Sequence, residues 1–233
     1  MIKAIFFDWF NTLARYEPPR EELHSQVLHG FGIELSPDKL IPAVLVADRY
    51  FFEENAISPV GKRSREEQAE AYIHYTEIML NEVGVKPSKE LLLDIFKKGQ
   101  RLFGALKFIL FDDTLPTLKT LKERKFILGS LTNYDKDMAS ICHELGVDPY
   151  LDFVVTSGEV GVDKPRPPIF LKALEKANVE ASEAVHVGDQ YQIDVTGARG
   201  VGITPILIDR YNLYPEVTDC RRIKSLTELA QFL

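Results

Sequence analysis

Carboxylates, a hydroxyl, an amide and a lysine occur at four separated places in the chain. Asp8, Thr132-Asn133 and Gly188-Asp189 each directly follow a short apolar run, and Lys164-Pro165 follows a further one at the distance of a loop. Carboxylates can act as nucleophiles or bind a hard cation, and a lysine can neutralise charge on a substrate oxygen. Each group alone also has an ordinary explanation as a turn residue, a helix cap or a surface charge.

The apolar run before Asp8 predicts a strand that is buried on both faces. Residues 4–7 are apolar without a helical period, which is typical of a strand inside a parallel sheet. Burying a charge without partners costs on the order of several kcal/mol. Asp8, at the end of such a strand, therefore needs a cation, hydrogen-bond donors or a chemical task.

From about residue 106 onward, predicted strands alternate with predicted helices. This alternation predicts an α/β fold, a doubly wound parallel sheet with helices on both faces. Ligands of such sheets bind outside the carboxyl ends of the strands. We therefore expect Asp8, Thr132-Asn133, Lys164 and Asp189 to converge on one crevice.

The stretch from Tyr16 to about Ala105 is predicted to contain helices only. Ser36-Pro37 is typical of a helix start, and Ser64 with Glu67 predicts a capping box at another. About four helices in roughly 90 residues reach the size of a small domain. The predicted organisation is therefore a core domain of residues 1–15 and 106–233, with a helical domain of residues 16–105 inserted after the first strand.

Composition narrows the classes of function and location. The 233 residues carry a net charge of -7, which argues against general nucleic-acid binding. No apolar run is long enough for a transmembrane helix, and no signal-peptide pattern is present. Cys142 and Cys220 are far apart and are predicted to be free thiols, so we expect a cytoplasmic protein. No motif decides between a monomer and a homodimer.

In order along the chain, the four groups resemble the motifs of the haloacid-dehalogenase-like hydrolase superfamily. Its first motif is Asp-x-Asp-x-Thr after an apolar strand, and here it is Asp8-Trp9-Phe10-Asn11-Thr12. The second is Thr132 with Asn133, the third Lys164-Pro165, and the fourth Gly188-Asp189 with a later Asp194. The resemblance implies a Rossmann-like core and, from the position of the insert, the subclass with a helical cap.

The resemblance also implies roles in catalysis. Asp8 would be the nucleophile that forms a covalent aspartyl intermediate. Thr132 and Asn133 would donate hydrogen bonds to the transferring group. Lys164 would keep the nucleophile ionised and neutralise charge on a phosphoryl oxygen.

A Mg²⁺ site and a substrate site follow from the same resemblance. The implied metal ligands are Asp8, the main-chain carbonyl of Phe10, and Asp189, supported by Asp194. Substrate contacts are expected from Thr12, Asn133, Arg20 and Arg49. A separation of more than ~10 Å between the carboxyl groups of Asp8 and Asp189 would contradict a shared cation.

Phe10 departs from the family pattern and keeps several functions open. Phosphatases of the family have an Asp at this position that protonates the leaving group and then activates water, which is worth roughly 10²–10⁴ in rate. With Phe10, a phosphatase needs a substrate whose leaving group departs easily, or a replacement acid such as His24 or Glu17. The chain could also be a binding module without turnover.

A dehalogenase is the main alternative, because 2-haloacid dehalogenases have an aromatic residue at the position of Phe10 and use no metal. Such an enzyme also needs an Arg near the first motif, for which Arg15, Arg20 and Arg49 are available. The fourth motif favours a metal, because Asp189 and Asp194 beside Asp8 would repel one another without a cation. The favoured prediction is Mg²⁺-dependent hydrolysis of a small phosphorylated metabolite, with a halogenated substrate second.

Overall fold

The computed structural model describes residues 1–103, 106–134 and 137–232. The chain divides into two compact units, one of Met1–Arg15 with Phe108–Leu233 and one of Tyr16–Lys107. Ala105 and Leu233, which end two segments of the predicted domains, lie outside the described residues.

The described residues contain eight strands. These are β1 (Ala4–Phe7), β2 (Ala14–Glu17), β3 (Lys107–Leu110), β4 (Ile127–Thr132), β5 (Phe153–Thr156), β6 (Ala184–Gly188), β7 (Thr204–Ile208) and β8 (Arg221–Ile223). Six of them form a sheet in the order β5-β4-β1-β6-β7-β8, in which every pairing is parallel. Strands β2 and β3 form a separate two-stranded sheet.

Helices cover both faces of the six-stranded sheet. The helices of this unit are α5 (Thr114–Glu123), α6 (Met138–Glu144), α7 (Ser157–Val160), α8 (Pro167–Ala177) and α9 (Thr196–Gly200), and a 3₁₀ segment follows at Leu226–Gln231. Helices α5 and α6 and the 3₁₀ segment contribute buried residues to one core cluster, whereas α8 and α9 contribute to the other. The predicted α/β fold with a doubly wound parallel sheet is confirmed.

Strand β1 lies at the centre of the sheet and is buried on both faces. Its side chains alternate between the two clusters, with Ile5 and Phe7 on one face and Ala4 and Phe6 on the other. Its neighbours are β4 on one side and β6 on the other. Because all three strands run in the same direction, their carboxyl ends meet at one edge.

The second unit is a helical layer with its own apolar core. It contains α1 (Arg20–His29), α2 (Pro37–Ile57), α3 (Arg65–Glu82) and α4 (Lys89–Phe103). The predicted capping box of Ser64 and Glu67 is present at the start of α3. Buried residues of all four helices, such as Leu28, Val44 and Leu80, form one cluster.

Some short elements differ from the sequence-based expectations. The expectation of helices only from Tyr16 is wrong at its start, because β2 extends to Glu17. Strand β8 was also missed, since its residues are Arg-Arg-Ile and carry no apolar pattern. No described helix combines the length and the apolar character needed to cross a bilayer.

Candidate active site

The three central strands bring the predicted carboxylates and hydroxyl to one edge of the sheet. Asp8 directly follows β1, Thr132 ends β4 and Asp189 directly follows β6. The main-chain N–H of Asp8 donates to the carbonyl of Val187 over 2.8 Å, which ties the end of β1 to β6. The site therefore lies where the carboxyl ends of β4, β1 and β6 meet, as expected for open parallel sheets.

Lys164 forms a buried ion pair with two of the carboxylates. Its Nζ lies 2.5 Å from Asp8 Oδ1 and 2.7 Å from Asp194 Oδ1. The side chains of Lys164 and Asp194 are 2% and 1% exposed, so these contacts are made almost without solvent screening. Lys164, which precedes α8 in sequence, thus reaches the end of β1.

Asn133 holds the Lys164 segment in place. Its Oδ1 accepts from the main-chain N–H of Lys164 over 2.7 Å, and its Nδ2 donates to the Lys164 carbonyl over 3.1 Å. A hydrogen bond from Asn133 to the transferring group stays a prediction, to be made by the second amide hydrogen. Thr132 Oγ1 accepts from the N–H of Tyr134 over 3.0 Å, a bond that does not use the hydroxyl hydrogen.

Three carboxylates lie close enough to share one cation. Asp8, Asp189 and Asp194 each have an oxygen within 4.8 Å of the others, well inside the ~10 Å limit. Asp8 Oδ2 and Asp189 Oδ1 are buried and have no hydrogen-bond partner among the described residues. Unpartnered buried oxygens of this type fit a hard cation such as Mg²⁺, which prefers carboxylate oxygens.

Burial and mutual repulsion dominate the electrostatics of these carboxyl groups. Burial raises the pKa of Asp8 to about 6, against the lowering effect of Lys164. Burial and the charges of Asp8 and Asp194 raise the pKa of Asp189 well above its usual range. For Asp194, the charge of Lys164 and the hydrogen bond from His186 together outweigh burial, so its pKa is lowered.

Lys164 stays charged in this setting. Burial works to lower its pKa, but the charges of Asp194 and Asp8 outweigh burial and raise it. The site therefore holds one ammonium group and three carboxyl groups, and the lysine offsets only part of their charge.

The segment after β6 approaches Asp194 closely. A Cβ atom at Gly188 would lie 2.2 Å from Asp194 Cγ, so only glycine fits there. Asp194 lies in one turn of π-helix, Tyr191–Val195, which directly precedes α9. Such turns occur often at functional sites, where they set the direction of a side chain.

Phe10 lies in a group of aromatic rings beside the site. Its ring centroid is 6.4 Å from that of Phe108, which in turn is 5.2 Å from Tyr134 and 5.9 Å from Trp9. Phe10 has no proton to transfer, so the family's acid/base group is absent from this position. The metal contact predicted for the Phe10 carbonyl stays a prediction.

The remaining predicted residues occupy defined positions. Thr12 is fully buried in the turn after Asp8, and its Oγ1 has no hydrogen-bond partner among the described residues. Arg20 in the helical unit forms a two-bond ion pair with Asp48, and Arg49 pairs with Glu53 over 3.3 Å. The ion pair gives Arg20 a structural role, and substrate contacts by Arg20 and Arg49 stay predictions.

The two replacement acids considered from the sequence also lie in the helical unit. His24 is buried, and burial together with the charge of Arg20 lowers its pKa to about 3. It is therefore neutral near pH 7 and poorly suited to donate a proton. Glu17 is exposed at the end of β2.

The sequence analysis missed two residues that touch the carboxylates. Asn11 has a positive φ of 58° and its side chain hydrogen-bonds to Asp189. His186 lies within β6, and its Nε2 is 3.0 Å from Asp194 Oδ1. His186 was detectable, because a histidine inside an otherwise apolar strand needs a polar partner for the same reason that Asp8 does.

A family model for haloacid dehalogenase-like hydrolases matches residues 2–202. The chain belongs to this family of hydrolases. The prediction made from the four motifs is thereby confirmed, and the motif residues are those that the fold gathers at the carboxyl ends of β1, β4 and β6.

Named relatives of this hydrolase include phosphatases and a dehalogenase. It is 30% identical over 218 residues to a glyceraldehyde 3-phosphate phosphatase of Methanopyrus kandleri, covering 90% of this chain and 85% of the relative. A phosphatase of the family from Thermococcus onnurineus has a similar structure, with a TM-score of 0.58, 26% identity and coverage of 99% and 97%. The structure of a 2-haloacid dehalogenase of Pseudomonas syringae is also similar, with a TM-score of 0.55 and 26% identity. The match covers 99% of this chain and 97% of the dehalogenase.

Proposed function

We propose that this hydrolase is a Mg²⁺-dependent phosphatase that acts on a small phosphorylated metabolite through a covalent intermediate on Asp8. The main support is the geometry of three carboxylates. Asp8, Asp189 and Asp194 each have an oxygen within 4.8 Å of the others, and buried oxygens of Asp8 and Asp189 have no hydrogen-bond partner among the described residues. Like charges at this distance repel strongly in a buried site unless a cation lies between them. The dehalogenase mechanism needs no metal and leaves this crowding unexplained.

Mg²⁺ would be held by Asp8 and Asp189 and by the main-chain carbonyl of Phe10. Asp194 would support the ion, directly or through water, since its Oδ1 already accepts from Lys164 and His186. When bound, Mg²⁺ supplies positive charge that brings a phosphate group to the carboxylates and offsets the charge on its oxygens.

Asp8 would attack the phosphorus atom of a phosphate ester. A new O–P bond forms to the Asp8 carboxylate while the bond from phosphorus to the leaving oxygen breaks, and the leaving group takes the electron pair. Lys164, 2.5 Å from Asp8 Oδ1, keeps the carboxylate ionised and offsets charge on a phosphoryl oxygen. The hydroxyl of Thr132 and the second amide hydrogen of Asn133 would hold the phosphoryl oxygens in line for the transfer.

Water would complete the reaction by attacking the aspartyl phosphate. The water oxygen bonds to phosphorus while the bond from phosphorus to the Asp8 oxygen breaks. Inorganic phosphate is released, the hydrogens of the water leave on the phosphate or pass to solvent, and the carboxylate of Asp8 is restored. Phe10 can neither protonate the leaving group nor remove a proton from this water. Substrates whose leaving groups are stable as anions are therefore favoured, and the second step is expected to be slow.

The relatives support a small phosphorylated substrate. The Methanopyrus kandleri relative is named for a phosphorylated three-carbon aldehyde and aligns over 90% of this chain. Two of the four predicted substrate contacts, Arg20 and Arg49, form ion pairs with Asp48 and Glu53, so we propose only the chemical class of the substrate.

Dehalogenation is the second candidate, and Phe10 favours it. A halide departs without a proton, so an aromatic residue suffices beside the nucleophile. The 26% identity to the Pseudomonas syringae dehalogenase agrees with this candidate but does not outweigh the crowded carboxylates.

A paired assay tests both functions on one preparation. One arm measures phosphate release from p-nitrophenyl phosphate with Mg²⁺ and with EDTA, and the other measures halide release from 2-chloropropionate. We expect phosphate release that EDTA abolishes and no halide release. Metal-independent halide release would favour a dehalogenase. Absence of both phosphate and halide release would favour a binding module without turnover.

Acid-quench labelling tests the intermediate. Because no base activates water for the second step, a substrate labelled in its phosphate should leave label on Asp8 during turnover. Turnover without any labelled protein, or label that persists in Asp8→Asn, would contradict the covalent step.

A further inference from the structure

His186 is a buried residue in contact with the site, and the proposed mechanism gives it no role. It is 0% exposed in the middle of β6, and its Nε2 lies 3.0 Å from Asp194 Oδ1. Its other ring nitrogen, Nδ1, is buried and has no hydrogen-bond partner among the described residues. A buried N–H without an acceptor is costly, so the hydrogen belongs on Nε2, where Asp194 accepts it.

The hydrogen bond from His186 is one of three that orient the Asp194 carboxylate. Asp194 Oδ1 accepts from both His186 and Lys164, and Oδ2 accepts from the main-chain N–H of Gln190 over 3.1 Å. The donors come from two stretches of the chain, His186 and Gln190 from β6 and the turn after it and Lys164 from the segment before α8. Together they leave the carboxylate one orientation, which in turn directs the Lys164 ammonium group toward Asp8.

The ring of His186 is itself held by packing. It meets the ring of Phe170 edge-on, with centroids 5.3 Å apart and an interplanar angle of 89°. Phe170 lies in α8, close in sequence to Lys164. The imidazole therefore has a fixed direction before any substrate binds.

We propose that His186 is a positioning residue for the hydrolase reaction: its Nε2–H fixes Asp194, and Asp194 fixes Lys164 against the nucleophile. The inference rests on the proposed function, because it assigns His186 a part in the same reaction. A buried histidine with a packing role only would not need a hydrogen-bond donor at the position of Nε2. This difference makes the inference testable.

Two substitutions separate positioning from packing. The amide nitrogen of Gln in His186→Gln reaches about the position of Nε2, whereas that of Asn in His186→Asn reaches only about the position of Nδ1. Both variants remove the ring and its contact with Phe170. Outer-shell partners of this kind typically contribute about 10–100-fold to activity.

The first measurement is kcat and KM for p-nitrophenyl phosphate at saturating Mg²⁺, with circular dichroism to verify folding. We expect His186→Asn to lower kcat about 10–100-fold with KM changed less than about threefold, and His186→Gln to keep kcat within about threefold of wild type. Equal losses in both variants, no loss in His186→Asn, or a change confined to KM would overturn the inference.

The second measurement needs no turnover. Nitrogen-15 NMR of the wild-type protein, with histidine labelled in the ring, identifies which nitrogen carries the hydrogen. We expect Nε2–H with a bare Nδ1 for His186, whose ring signals are assigned in the wild-type protein by through-bond correlation to its own backbone. A hydrogen on Nδ1 would overturn the inference even if the variants fail to fold. Absence of phosphate release by wild type would instead count against the proposed function, and the NMR result would then decide the inference.

Discussion

Two buried charged clusters, one in each unit, differ in charge balance. The cluster in the sheet unit has three carboxyl groups, Asp8, Asp189 and Asp194, around the single ammonium group of Lys164. Two of its carboxylate oxygens have no hydrogen-bond partner among the described residues.

The cluster in the helical unit has one charge of each sign. Arg20 forms two parallel hydrogen bonds to Asp48, one of them 2.6 Å long, and the Tyr75 hydroxyl donates to Asp48 over 3.0 Å. The side chains of Arg20 and Asp48 are only 17% and 3% exposed. Bidentate geometry and a third donor satisfy this carboxylate within its own unit.

The difference separates a structural ion pair from a reactive site. A balanced pair with satisfied hydrogen bonds needs no ligand, and replacing such a pair by well-packed apolar residues of similar volume is often neutral for stability. An unbalanced cluster destabilises the fold unless something positive completes it, and such strain is typical of sites that bind or react. Substitutions in the two clusters test this contrast, and the largest effect is expected in the sheet unit.

Replacing Asp8 by Asn should abolish phosphate release. Asn has the size of Asp but cannot form the ester intermediate, so we expect kcat to fall by about 10⁴-fold or more. Steady-state release of p-nitrophenol measures this loss, with circular dichroism as the check on folding. Turnover within about tenfold of wild type would show that Asp8 is not the nucleophile.

Replacing Phe10 by Asp should restore the acid/base group that the sheet cluster lacks. We expect hydrolysis of alkyl phosphates, whose leaving groups need a proton, to rise by about 10²–10⁴-fold. Phe10→Asn is the matched control, because it has the same size and polarity but no acid. If the Asp and Asn variants hydrolyse alkyl phosphates equally, another residue supplies the proton.

Replacing Asp48 by Asn should destabilise the helical unit, since it leaves Arg20 buried without a counter-charge. We expect a loss of about 3–5 kcal/mol in the free energy of unfolding, measured by urea denaturation. The double substitution Arg20→Met with Asp48→Leu should recover most of this loss. A double variant as unstable as Asp48→Asn would show that the pair is more than a balanced structural contact.

Lowering the pH should destabilise the helical unit, because it favours protonation of the buried His24. Burial and the charge of Arg20 lower its pKa from 6.5 to about 3, so the folded protein resists a proton that the unfolded chain accepts. Stability from this residue is therefore full above pH ~6.5 and falls below it, by up to about 1.4 kcal/mol per pH unit. Urea denaturation of wild type and His24→Gln from pH 7 to 4.5 should show a shallower pH slope in the variant. Parallel slopes would contradict the burial of a neutral imidazole.

The sequence was most informative where a single strand decides the position of a residue. Asp8, Thr132 and Asp189 lie at the carboxyl ends of buried parallel strands, so period and polarity alone predicted that they meet at one edge. The position of Lys164 was harder to predict, because it depends on two hydrogen bonds between the Lys164 main chain and the side chain of Asn133, 31 residues earlier. The strand pattern predicted that Lys164 reaches this crevice, and the family resemblance added its contact with Asp8.

Contacts between residues that are far apart in sequence could not be predicted from the sequence. Arg20 in α1 and Asp48 in α2 are 28 residues apart in sequence, and no local pattern specifies such a partner. Arg20 was therefore predicted as a substrate contact, whereas the structure gives it a buried carboxylate. The π-helical turn at Tyr191–Val195 was also unpredictable, because its residues have an ordinary helical composition.

The sheet cluster should have an excess of negative charge until a divalent cation binds to it. Thermal unfolding of wild type and Asp189→Asn, each with EDTA and with Mg²⁺, tests this most directly. The raised pKa of Asp189 means that its ionised form destabilises the metal-free fold near pH 7. We therefore expect Asp189→Asn to unfold at least about 2–4 °C above wild type in EDTA, and Mg²⁺ to stabilise wild type only. A variant that is less stable than wild type in EDTA, with an undiminished response to Mg²⁺, would contradict the claim.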